Sequence, residues 1–127
     1  MTLRATDLAR FPKTQLRDGP SPIVALPRLS QHLGGAEIYV KRDDVDGLGG
    51  GGNKLRKLEF LIGEAQATGA DTIITVGGRQ SNHARLTAAA AARVGMKCEL
   101  VLSRLVPIED EDYVENGNVL LLSLIHI

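Results

Sequence analysis

The stretch Asp71-Thr-Ile-Ile-Thr-Val-Gly-Gly-Arg-Gln-Ser-Asn-His83, with the alanine-rich run up to Val94-Gly95 and then Lys97-Cys-Glu-Leu-Val-Leu102, decides the fold. Asp71 to Val76 is a β-branched run that predicts a strand, closed by a tight turn at Gly77-Gly78. A helix is expected from about Ser81 to Val94, where Gly95 stops it, and Lys97 to Leu102 reads as the next strand. Strand, helix and strand in this order predict parallel strands joined by a crossover helix.

Working outward toward the N-terminus, Leu55, Leu58, Leu61, Ile62 and Ala65 recur at helical spacing, so a helix is expected from about Lys54 to Thr68. Asn53 is its expected N-cap and Gly69 its stop. A loop from Arg42 to Asn53 precedes it, and Glu37 to Lys41 reads as a short strand. The whole order predicts an α/β fold, a parallel sheet with crossover helices, holding three strands. The first thirty residues read as irregular and proline-rich (Pro12, Pro20, Pro22, Pro27), with Pro27 opening a short helix that ends at Gly34-Gly35. Beyond the last strand, Ser103 to Asn118 is acidic and loop-like, and Val119 to Leu122 begins another helix. In such a sheet each crossover helix starts at the carboxyl edge of a strand, where ligands bind. The glycine loop before Lys54 and the turn at Ser81 are therefore expected on one edge.

Composition excludes several classes. The 127 residues carry 15 basic and 15 acidic side chains, a net charge of zero that offers no footprint for nucleic acid or an anionic membrane. The single cysteine, Cys98, allows no intrachain disulfide, as in a reducing compartment. Met1 to Lys13 has no apolar signal-peptide region, and no apolar run reaches the about 20 residues that span a bilayer. A cytoplasmic protein is expected. His32, His83, His126 and Cys98 lack metal-ligand spacing, so no metal site is expected.

Gly47, Gly49, Gly50, Gly51 and Gly52 lead into Asn53-Lys54. Glycines at this density let backbone approach a flat ligand or a phosphate. Lys54 sits at a helix start, where the positive end of the helix dipole disfavours an ammonium, and a lysine neutral part of the time forms a Schiff base with an aldehyde. The same residues also read as a flexible loop before a helix with solvated Lys54, Arg56 and Lys57. Gly47 to Gly52 matches G-x-G-x-x-G, with Asp71 as ribose-binding acid, but Arg42 to Asp46 separate it from its strand. A phosphate loop fails because Asn53 intervenes before the lysine and Leu55 replaces the magnesium-binding hydroxyl. At the second turn, Gln80, Ser81, Asn82 and His83 stand where free helix N–H groups bind oxygen. Ser81 offers a hydroxyl acid or base and Asn82 an amide for a phenolic oxygen; each also reads as a simple cap. No G-x-S-x-G elbow is present.

Lys41-Arg42-Asp43-Asp44, Gly51-Gly52-Asn53-Lys54, Arg56-Lys57-Leu58-Glu59-Phe60 and Gln80-Ser81-Asn82-His83-Ala84-Arg85 together resemble the D-cysteine desulfhydrase and 1-aminocyclopropane-1-carboxylate deaminase group, over roughly residues 8 to 121. These are fold-type II pyridoxal-phosphate enzymes, similar in architecture to the tryptophan synthase β subunit. The resemblance implies pyridoxal 5'-phosphate bound through Lys54, which also moves the substrate α-proton, with Asn53 and Asn82 in the cofactor site and Asn82 on the phenolic oxygen. It implies a catalytic Ser81, and Gln80, Ser81, Asn82 and His83 around the substrate. The implied reaction is β-elimination of D-cysteine to pyruvate, hydrogen sulfide and ammonia in a homodimer, Ser-Asn-His being nearer the desulfhydrases than Ser-Asn-Gln. L-Cysteate sulfo-lyase and 1-aminocyclopropane-1-carboxylate deaminase are the alternatives within the group, and a nucleotide-binding half-domain is the alternative outside it.

The implied domains are 1–56, in the large cofactor-binding domain, and 57–121, in the small α/β domain. Arg79, where relatives carry a small or apolar residue, and the long glycine run depart from the pattern. Residues 122–127 break it, and are expected to be an aberrant tail on a fragment that is inactive alone. Members of the group are much longer, and their phosphate cradle, pyridine-nitrogen partner and active-site tyrosine lie beyond the matching part.

Overall fold

The computed structural model describes residues 5–125. Strand β1 (Ile23–Ala25), helix α1 (Pro27–Leu33) and strand β2 (Tyr39–Lys41) form the first unit. Proline opens α1, and Gly34 ends it at φ 64°, a left-handed cap that glycine adopts without strain. β2 pairs antiparallel with β1 (Ile23 opposite Lys41), and so stands apart from the parallel sheet. The sequence order predicted three parallel strands; two are parallel. The physical reason is the glycine loop after β2, which packs against a later helix instead of carrying the chain back to a sheet edge. β1 itself lies in the proline-rich stretch that read as irregular.

Helix α2 (Leu55–Ala67) leads to strand β3 (Thr72–Gly78), helix α3 (Asn82–Arg93) and strand β4 (Lys97–Ser103). β3 and β4 are parallel and in register from Thr72 opposite Lys97 to Gly78 opposite Ser103, with α3 as the crossover. This is the expected α/β unit. Ala84, Ala88, Ala89, Ala90 and Ala91 of α3 are buried, because small side chains let a helix lie close to its neighbours. Leu16, Leu55, Leu58, Ile62, Leu86 and Ala90 form the core, with Leu48, Ile73 and Val94 against it. Leu61, expected on the same stripe, is exposed and lines a cleft with Phe11 and Phe60.

Glu59 takes a core-facing place on α2, 2 % exposed. Its carboxylate accepts from Leu16 N and Arg17 N, both at 3.2 Å, and pairs with Lys13 at 3.0 Å and Arg17 at 3.1 Å. Burial alone would raise its pKa, but these partners outweigh burial and hold it below the usual carboxylate range. The same groups line a cleft of about 550 Å³ with Lys41 and Arg56, which includes neither Lys54 nor residues 80–83.

The acidic stretch after β4 contains a short helix, α4 (Glu111–Glu115), where a loop was expected; the Asp110 side chain caps it by accepting from Asp112 N at 2.9 Å. Helix α5 (Asn118–Ile125) begins one residue before the expected start. Residues 122–125, read from sequence as an aberrant tail, continue this helix, and Leu122 is buried beside a cleft shared with Cys98 and Leu100. His126 and Ile127 lie outside the described residues. Among those described, no helix is long and apolar enough to cross a membrane, and no cluster of His, Cys, Asp or Glu could hold a metal ion.

Candidate active site

Two helix starts build the site. Lys54 is the residue just before α2, and its carbonyl accepts from Leu58 N at 3.0 Å. Asn53, expected to cap α2, is exposed and makes no side-chain cap; the helix opens at Lys54 without one. The Lys54 side chain is half-buried, and among the described residues nothing bonds to its amine.

The four glycines before it adopt φ of 60°, 79°, 73° and 137° at Gly49 to Gly52. A Cβ on Gly49 would sit 2.8 Å from Ala89 Cβ, and one on Gly52 3.0 Å from a Leu86 methyl. A Cβ on Gly51 would strike the Asp44 carbonyl. The glycines thus let the loop close on itself and pack on α3. Arg85, 7 % exposed, ties the loop down by donating to the Gly49 carbonyl and, at 3.2 Å, to the Gly51 carbonyl. The dinucleotide arrangement is not formed, since this loop follows a strand of the antiparallel pair.

At the second start, Ser81 is the N-cap of α3, its Oγ accepting from Ala84 N at 3.2 Å. That bond uses oxygen lone pairs only, so the hydroxyl proton remains available to a ligand. Gly77 makes the approach feasible, because a Cβ there would lie 2.7 Å from Ser81 Oγ. Asn82 is exposed. Its Oδ1 accepts from Asn118 Nδ2 at 2.9 Å. Gln80 reaches toward the end of α4, donating to the Tyr113 and Asn116 carbonyls at 2.7 and 2.9 Å.

His83 is bracketed by two threonines. Thr87 Oγ1 donates to the His83 carbonyl at 2.8 Å, so it accepts from the ring Nδ1–H at 3.3 Å, and Nε2 then accepts from Thr75 Oγ1 at 2.9 Å. Burial lowers the pKa of this ring, and the charges of Lys57 and Lys54 lower it further. Arg85 and Leu86 of α3 hold the glycine loop that leads into Lys54 against the helix. The two connections do not share one edge of a parallel sheet as expected, because the strand before Lys54 belongs to the antiparallel pair; the glycine loop is instead brought to α3 by packing.

Thr75, Thr87, Arg85 and Asn118 went unassigned in the sequence. Only Thr75 left a usable signal, being the polar residue at an inward position of β3. The donor set fits pyridoxal phosphate. An unengaged amine suits an aldehyde, and the backbone N–H groups of residues 82 and 83, without a partner among the described residues at the start of a twelve-residue helix, suit oxygen anions.

The model of the family described as "Pyridoxal-phosphate dependent enzyme" matches residues 14–122, and the chain belongs to that family. It is 54% identical over 116 residues to a 1-aminocyclopropane-1-carboxylate deaminase of Methylobacterium sp. (strain 4-46), covering 90% of this chain and 34% of the relative. It is equally 54% identical over 117 residues to a D-cysteine desulfhydrase of Salmonella newport (strain SL254), covering 92% and 35%. The crystal structure of an ACC deaminase homologue superposes with a TM-score of 0.82 at 46% identity, over 94% of this chain and 34% of that one. The fold is therefore that of a fold-type II pyridoxal-phosphate enzyme, and the chain spans about a third of the length of these relatives.

Proposed function

We propose that this chain supplies the lysine-bearing part of a pyridoxal-phosphate-dependent lyase that converts D-cysteine and water to pyruvate, hydrogen sulfide and ammonia. The observation that carries the proposal is the unengaged Lys54 amine at the end of a glycine loop that Arg85 ties to α3. Pyridoxal phosphate, when bound, supplies the electron sink that makes a bond to the substrate α-carbon labile.

Lys54 Nζ holds the cofactor aldehyde and carries the proton taken from the α-carbon. Ser81 Oγ, with its proton free, donates to the substrate or its leaving group, and the N–H groups of residues 82 and 83 orient the carboxylate. Asn82 meets the cofactor's phenolic oxygen, with Asn53 at the exposed rim. Gln80 and His83 frame the pocket from behind, since their polar atoms are already engaged. The proposed division is 1–56 in the cofactor-binding domain and 57–121 in the small domain, with the protein acting as a cytoplasmic homodimer. Arg79 adds a positive charge at the edge of the turn.

The test is a chimera in which residues 14–121 replace the matching segment of the Salmonella relative, assayed with D-cysteine beside L-cysteate and 1-aminocyclopropane-1-carboxylate. Equal release of sulfide and pyruvate, with borohydride labelling of Lys54, is the expected result. Turnover of only the cyclopropane substrate would reassign the chemistry, and labelling of another lysine would remove Lys54 from its role.

A further inference from the structure

The amides of Gln80 and Asn118 are held by partners that permit one orientation each. A main-chain carbonyl only accepts, so the Gln80 atom 2.7 Å from the Tyr113 carbonyl and 2.9 Å from the Asn116 carbonyl is its nitrogen. The Gln80 oxygen accordingly accepts from Asn118 N–H at 2.8 Å. Asn118 is fixed in the same way, because its side chain lies 2.7 Å from the Gln80 carbonyl and must present nitrogen there. That nitrogen also stands 2.9 Å from the Asn82 side chain, which must turn its oxygen inward. The guanidinium of Arg85, a donor only, lies 3.5 Å from the same oxygen. Gly117 guards the arrangement: a Cβ there, at φ 61°, would come within 2.7 Å of Gln80 Oε1. The result is an exposed Asn82 whose amide nitrogen is unengaged among the described residues.

We propose that Gln80 and Asn118 are positioning residues that lock the Asn82 amide as a hydrogen-bond donor, so that the site selects an oxygen acceptor at this position. Gln80 has both amide hydrogens committed to the 113–118 segment and does not touch the substrate. The stretch from Tyr113 to Asn118, from within α4 to the first residue of α5, is thereby part of the recognition apparatus. The acceptor's identity as the cofactor's phenolic oxygen rests on the proposed function; the locked amide does not.

Two measurements separate these. In the 15N-labelled chain, the side-chain amide protons of Gln80 and Asn118 should exchange with water about tenfold or more slowly than those of Asn82, a protection on the order of one hydrogen bond. Asn118→Asp, which puts an acceptor where Asn82 Oδ1 needs a donor, should leave Gln80 protected, since its amide hydrogens go to the Tyr113 and Asn116 carbonyls. Fast exchange at Gln80 and Asn118 in the unaltered chain overturns the lock, whatever the cofactor does. In the chimera, Asn118→Asp should weaken pyridoxal-phosphate binding about tenfold. It should also raise the pH midpoint of the bound cofactor's visible band, because an unshared negative charge on the ring oxygen retains the neighbouring proton. A residue that merely stabilises the fold would lower the melting temperature and leave that midpoint in place, and an unmoved midpoint overturns the positioning role. If the unaltered chimera binds no pyridoxal phosphate, the proposed function fails while amide exchange still decides the lock.

Discussion

Lys54 and Ser81 differ in how much work each does for the fold, and this decides how their variants should be read. The Lys54 amine has no partner among the described residues. Lys54→Ala in the chimera should therefore leave the melting temperature within about 1 °C, as expected for substitutions away from structural features, while abolishing borohydride labelling and turnover. A large fall in melting temperature would show that Lys54 is structural. Ser81 is a helix cap as well as a candidate acid, so Ser81→Ala should cost about 1 kcal/mol of stability in addition to most turnover. Ser81→Asn, which also caps well, separates the roles: stability should return and turnover should not. Recovery of turnover with Asn would reduce Ser81 to its cap. The helix-start positions of Lys54 and Ser81 were legible in the sequence, because glycines and apolar periodicity mark them locally. Arg85 and Asn118 were not, because their partners lie 34 to 38 residues away and no local pattern encodes such a pairing.

At the scale of elements, the helices were the most legible part. α2 and α3 fall within a residue of their expected limits, since apolar periodicity and a following glycine are local signals. The use of the glycine loop was not legible. Its composition indicated close approach, but approach to α3 and to its own turn depends on tertiary packing. Gly51→Ala should accordingly destabilise the chain by roughly 2 kcal/mol or more, from left-handed strain and a clash with the Asp44 carbonyl. An unchanged urea midpoint would show the loop to be loose.

Acid should unfold the same region in two stages. His83 has a lowered pKa in the fold, so its contribution is complete above its unfolded value of about 6.5 and is lost as pH falls below it. Glu59, also lowered, contributes above its unfolded value of about 4.3, and that share is lost as pH falls toward the folded value. Asp43, lowered chiefly by the Arg56 hydrogen bond and then by Ser21, adds to the second stage. Urea midpoints at descending pH should thus fall twice. Glu59→Gln should cost roughly 2 kcal/mol at neutral pH and flatten the second fall; an unaltered second fall would assign it to other carboxylates.

For the whole molecule, the deciding feature is the face of the parallel pair turned away from α3. Strand alternation sends Ile73, Thr75 and Gly77 toward the helix and Ile74 and Val76 the other way, beside Val101 of β4. Ile74, Val76 and Val101 are 68%, 66% and 57% exposed, and among the described residues nothing covers them. The sheet has two strands, so each keeps an unpaired edge next to this apolar face. Apolar surface joined to open strand edges favours pairing with another chain. The chain as it stands should therefore self-associate, with weight-average mass rising with concentration in sedimentation equilibrium. Val76→Lys places a charge at the centre of this face without touching the core, so it should shift association toward monomer and leave the thermal transition of the monomer in place. If the mass stays monomeric for the unaltered chain, or if Val76→Lys leaves association unchanged while Leu120→Lys on α5 reduces it, the open face of the sheet is not the contact.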